Sequence, residues 1–82
     1  MKKQELLDFL ESEREYLNWR IEELNDHTDY TTSLLNWLEW AIDRIEKDDI
    51  DWIKNYNPWE ETTGLEQEII FTLHKYLQAI KQ

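Results

Sequence analysis

The chain has 82 residues, no cysteine and a net charge of −10. That length holds one domain with a modest core, since a chain this size buries only about 60–65% of the surface its unfolded form exposes. Disulfides and cysteine-based zinc sites are excluded, and no apolar run approaches the roughly 18 residues of a membrane-spanning helix.

The first residues, Met1 to Glu5, lead into an amphipathic pattern and not into an apolar segment with a cleavage site. No signal peptide is expected, and a cytoplasmic setting is (a host cytoplasm if the chain is phage-encoded). Residues 2 to 25 read as one long helix. Leu7, Leu10, Leu17, Ile21 and Leu24 recur at helical spacing, with Arg14 at the one missing position and Leu6 at the edge. Such a helix is about 36 Å long.

Asn25 to Asp29 form a polar break in which Asp26, Thr28 or Asp29 can cap the next helix. That second helix is predicted over 30–47. Leu34, Leu35, Leu38, Ala41, Ile42 and Ile45 share one face, with Tyr30 and Trp37 at its margin. Asp48 and Asp49 read as a stop followed by an N-cap, and Ile50, Ile53 and Tyr56 predict a short helix over about 50–56. Asn57 precedes Pro58 and is pushed out of helical geometry, which ends that segment. Thr63 and Glu66 match a capping box for a last helix over about 64–81, whose stripe is Leu65, Ile69, Leu73, Tyr76, Leu77 and Ile80.

A single glycine (Gly64) and a single proline (Pro58) leave little material for tight turns. The expectation is therefore an all-α fold: a small antiparallel three-helix bundle, one domain over 1–82, with a short extra helix. The first helix is nearly heptad and offers an alternative use, as the seam of a helical dimer.

Five tryptophans are many for this length, and their placement matters more than their number. Trp19 lies about 160° from the centre of the first helix's stripe, Trp40 about 140° from that of the second, and Phe71 about 180° from that of the last. Trp59 follows Pro58 in a connecting segment. Two readings compete. The rings fill gaps between helices, each with its polar edge in water; or they form an apolar patch rimmed by acids, of the kind that marks contact sites.

The charge is uneven. Residues 22 to 68 hold 14 acids against Arg44, Lys47 and Lys54, while residues 69 to 82 are positive by two. Nucleic acid and anionic membrane are poor partners for such a surface, because both are held by Lys and Arg. A basic protein is the natural complement.

Catalytic patterns are missing. The two histidines, His27 and His74, form no i, i+4 pair, and one glycine cannot build a phosphate-cradling loop. Asp48, Asp49 and Asp51 only superficially resemble a calcium loop, since Lys54 stands where the sixth-position glycine belongs. Helix capping, or contact with a partner, explains them better. No enzyme, metal or cofactor is expected.

The leading expectation is a non-enzymatic inhibitor or regulator that binds a basic, nucleic-acid-handling protein. In size, charge and genome style, though in no motif, the chain resembles small acidic phage-encoded inhibitors such as anti-CRISPR and anti-restriction proteins. That likeness implies carboxylates imitating a DNA phosphate track. The candidate partner-binding residues are Glu39, Asp43, Glu46, Asp48, Asp49, Asp51, Glu60 and Glu61, with Trp19, Trp40, Trp59 and Phe71 as apolar anchors. The alternative is a homodimeric structural or adaptor protein whose acids confer solubility.

Overall fold

A computed structural model of the chain describes residues 1–56 and 64–80. Within them the chain is helical, with three helices, one short 3-10 turn and no strand. Helix α1 spans Lys3–Leu24, α2 spans Asp29–Glu46, the 3-10 turn spans Asp51–Asn55 and α3 spans Gly64–Ile80. The predicted all-α three-helix bundle is found, and three of its four segments match within a residue or two. The fourth, expected as a short helix over 50–56, is a tighter 3-10 turn.

Each break has a local cause. Helix α1 stops where Asn25 takes a left-handed conformation (φ 51°), a region asparagine tolerates better than most residues. The backbone N–H of Asp26 then reaches back to the Arg20 carbonyl at 3.1 Å. Of the three capping candidates Thr28 starts α2, its hydroxyl oxygen accepting from the Thr31 N–H at 3.3 Å. Asp26 organises the turn from below. It accepts the hydroxyls of Thr28 and Thr31, each at 2.9 Å, and pairs with Arg20 at 2.6 Å. Those hydroxyls, first Thr28 and then Thr31, with Arg20 adding to them, hold its carboxyl below the usual carboxylate range.

Helix α2 ends at a second left-handed residue, Asp48 (φ 61°), as the predicted stop requires. The expected cap at Asp49 is not formed. Ile50 occupies that position without a side-chain cap, because the Asp49 carboxylate is drawn 3.5 Å from Arg44 instead. The capping box at Thr63, the break at Asn57 and Pro58, and the candidates Trp59, Glu60 and Glu61 lie outside the described residues.

The core joins Leu6, Leu7, Leu10 and Leu17 of α1 with Leu34, Leu38, Ile42 and Ile45 of α2, Ile53 of the turn, and Ile69, Leu73, Tyr76 and Leu77 of α3. One boundary moves relative to the sequence pattern. Leu6, placed at the stripe's edge, is fully buried, whereas Leu24 at its predicted end is 58% exposed.

The turn between α1 and α2 makes these helices antiparallel, and Lys3 closes the far end. Its ammonium donates to the Glu46 carbonyl at 3.1 Å and pairs with Asp48 at 3.0 Å. The broad packing contacts join α1 to α2, α1 to α3, and α3 to the 3-10 turn. Helices α2 and α3 make no comparably broad contact with each other, which leaves a cleft between them. The principal extents are 43 × 26 × 16 Å. The shortest is less than two full helix diameters of about 10–12 Å each, so every helix keeps a face toward solvent.

Candidate functional site

The 3-10 turn brings Trp52, a residue without a place in the helical pattern, against the side of α2. Its ring packs edge-on against Trp40 (centroids 4.8 Å apart), Trp37 (6.1 Å) and Tyr56 (5.9 Å). Trp37 and Tyr56 complete the cluster at 5.7 Å. Polar edges are matched too. The Trp52 indole N–H donates to the Asp49 carbonyl at 2.7 Å, and the Trp37 indole N–H donates to the Tyr56 hydroxyl at 3.3 Å. His74 on α3 hydrogen-bonds through Nε2 to the Tyr56 carbonyl, which ties the end of the turn to the bundle. Edge-to-face packing of this kind adds about 0.5–1.5 kcal/mol per pair beyond area burial. The result is a fixed aromatic row on one flank of α2.

One end of the row is open to solvent. Trp40 is 39% exposed, and the Arg44 guanidinium lies over its ring at 5.6 Å while pairing with Asp49. The aromatics therefore divide by exposure. Trp37 and Trp52 are half-buried between elements, whereas Trp40 and Trp19 face water. Trp19, 51% exposed, stacks on Tyr16 at 6.1 Å on the back of α1, with the Arg20 guanidinium over the Tyr16 ring at 5.8 Å. Phe71 is half-buried. Trp52, the hub of the cluster, is the functional candidate that the sequence pattern misses. Its only signal there was its place one residue before the apolar Ile53, in a segment too short to show periodicity.

The other end of the row runs into the cleft between α2 and α3. This groove has a volume of about 520 Å³ and is lined by Asp29, Tyr30, Ser33, Leu34 and Trp37 of α2, Tyr56, and Glu66 and Ile70 of α3. The first halves of α2 and α3 thus lie at the same level, so α3 runs parallel to α2 and antiparallel to α1.

The acids divide differently from what the sequence predicts. Four of the predicted partner-binding aspartates have a cation within the chain. Asp43 pairs with Lys47 (3.1 Å), Asp48 with Lys3 (3.0 Å), Asp49 with Arg44 (3.5 Å) and Asp51 with Lys54 (3.8 Å). Glu39 and Glu46 are exposed and have no cation partner among the described residues, but helix geometry turns them about 160° away from Trp37 and Arg44. So the structure gathers Trp40, Asp49 and Asp51 near one end of the aromatic row and sets Glu39 and Glu46 on the other flank, with Asp43 between.

Carboxylates with no ion pair among the described residues occur along all three helices, and Glu13 of α1 and Glu68 of α3 stand close enough to repel each other. Glu13 registers this crowding, its carboxyl pushed above the ordinary range first by burial and then by the charge of Glu68. Among the described residues no group of three or more acids or histidines converges as a metal site would require, and no helix is long and apolar enough to cross a membrane. Comparison with known proteins matches the chain to no family model, no curated protein and no solved structure.

Proposed function

We propose that this protein is a non-enzymatic binding protein that inhibits or regulates a basic partner, docking through the aromatic row of Trp40, Trp52, Trp37 and Tyr56. The observation that supports it is the solvent-open Trp40 at the end of a rigid four-ring cluster, on a molecule carrying −10. Pre-packed aromatic rings give contact area at low entropic cost, and Trp is the side chain most enriched at interface hot spots. The net negative field steers a cationic partner and repels nucleic acid and other anionic surfaces.

In this reading the aromatics hold the partner and the acids speed its arrival. Phage origin and DNA mimicry are the finer form of the same proposal. The four locally paired aspartates make a continuous phosphate-like track the weaker part of it. A second reading, self-association, is favoured by the exposed stack of Trp19 and Tyr16 on the back of α1.

The experiment is retention of proteins from a bacterial lysate at low and high salt, identified by mass, with wild type and Trp40→Ala. A basic protein held at low salt, released at high salt and lost by a folded Trp40→Ala variant is the expected result. Retention indifferent to salt and to Trp40 would reject the proposal. A dimer by light scattering that Trp19→Ala converts to monomer would transfer the function to self-association.

A further inference from the structure

The groove between α2 and α3 brings together aromatic, aliphatic and acidic side chains. Its walls are aromatic (Tyr30, Trp37, Tyr56), its floor is aliphatic (Leu34, Ile70), and a carboxylate stands on each side, Asp29 from α2 and Glu66 from α3. Neither carboxylate has a cation partner among the described residues, although four neighbouring aspartates do. We infer that this groove receives an arginine side chain presented by the protein's basic partner.

The match is chemical at each point. The aliphatic stem of arginine lies on Leu34 and Ile70, where its methylenes leave water. The planar guanidinium faces aromatic rings, an arrangement that favours arginine over the compact, strongly hydrated ammonium of lysine. Its five donors meet carboxylates from two directions, which a point charge uses less well. At about 520 Å³ the groove lies within the roughly 300–1,000 Å³ of ligand-binding pockets and has room for the side chain with part of its backbone.

Other occupants fit less well. An anion meets two carboxylates and no lining cation. A wholly apolar group desolvates those carboxylates without pairing them, at considerable cost. A second copy of this chain brings its own −10 charge, and two of its three arginines, Arg20 and Arg44, are already paired with Asp26 and Asp49, which leaves Arg14 alone to set against that repulsion. The one opposing effect is the positive end of each helix. Asp29 and Glu66 both sit in first turns, where the dipole is worth about half a positive charge. Two carboxylates still leave the groove negative.

The wall is held ready. Trp37 is locked to Tyr56 by the indole-to-hydroxyl bond, and Tyr56 is anchored to α3 through His74. Binding therefore costs little reordering of the protein.

This inference rests on the partner's being basic, and its test is separable from that reading. The full chain, isotopically labelled, is titrated with acetyl-Leu-Arg-Leu-amide and with the citrulline peptide, in which a neutral urea replaces the guanidinium. Expected are saturating shifts at the Leu34 and Ile70 methyls and the Trp37 indole N–H with the arginine peptide. Citrulline, or the double variant Asp29→Asn with Glu66→Gln, should weaken binding by about tenfold or more, the equivalent of one well-placed charge interaction.

Equal affinity for arginine and citrulline overturns the inference, as do shifts confined to Trp40 and Trp52. Concentration-dependent groove shifts without peptide, the sign of a second copy seated there, also overturn it. If the double variant fails to fold, the citrulline comparison decides alone. Groove binding of the peptide together with salt-indifferent lysate retention would defeat only the proposed function. A silent groove with salt-sensitive retention would defeat only this inference.

Discussion

Glu13 shows how a single side chain records its surroundings. It is half-buried on α1 at the level of Glu68, and both burial and that neighbour raise its carboxyl from 4.5. A raised carboxyl holds its proton more tightly in the folded chain than in the unfolded one. Stability therefore falls as pH climbs from the unfolded value through the raised folded value, and the penalty persists above it. Glu13→Gln removes the charge and keeps the shape, so it should raise the melting temperature at pH 7 by up to a few degrees, about 4–8 °C corresponding to a full 1 kcal/mol in a domain this small. The gain should vanish well below pH 4.5, where Glu13 is protonated in both the folded and the unfolded chain. Melting curves of the two proteins across pH check this; an unchanged or lower melting temperature at pH 7 contradicts it. Asp26 titrates in the opposite sense and in a different window. Its carboxyl is depressed from 3.8, so the stability it gives is present at neutral pH and lost only in stronger acid.

Among the elements, the 3-10 turn has the largest effect for its length. Ile53 is its one buried side chain and is fully enclosed, yet the turn carries Trp52 and leads into Tyr56. Ile53→Ala should cost about 2–5 kcal/mol, a large share of the roughly 5–15 kcal/mol available to a domain. It should also release the aromatic row, seen as loss of near-ultraviolet circular dichroism, while the three helices persist at low temperature. A row that survives the substitution would show that the turn is held by its rings alone. The three long helices were legible because each repeats its apolar stripe several times, and the all-helical bundle followed from that repetition. The 3-10 turn was half legible. Five residues hold barely one repeat, so Ile53 stood out but Trp52 did not. The pairing of the acids was not legible for a different reason. Sequence counts charges along the chain, whereas Lys3 neutralises Asp48 from 45 positions away, and only the fold brings them together. The groove was invisible for the same reason, since its two carboxylates come from different helices.

At the scale of the whole molecule, net charge acts on folding and on binding in opposite directions. The excess of carboxylates repels itself, and the five exposed or half-exposed ion pairs among the described residues contribute little each. Added salt screens charges farther apart than about 8 Å at physiological strength. Salt should therefore raise the melting temperature of the free protein while it weakens the complex with a basic partner, a pairing measurable with one sample series. If salt lowers the melting temperature, the local ion pairs outweigh the general repulsion. The aromatic row carries one more consequence. Three indoles within 4.8–6.1 Å of their neighbours share their electronic excitations. Coupled transitions of this kind add a band in the far ultraviolet, on top of the helical signal. Its sign and size depend on how Trp37, Trp40 and Trp52 are turned relative to one another. The protein thus holds its own optical gauge, one that reads the seating of a five-residue turn separately from the helices around it.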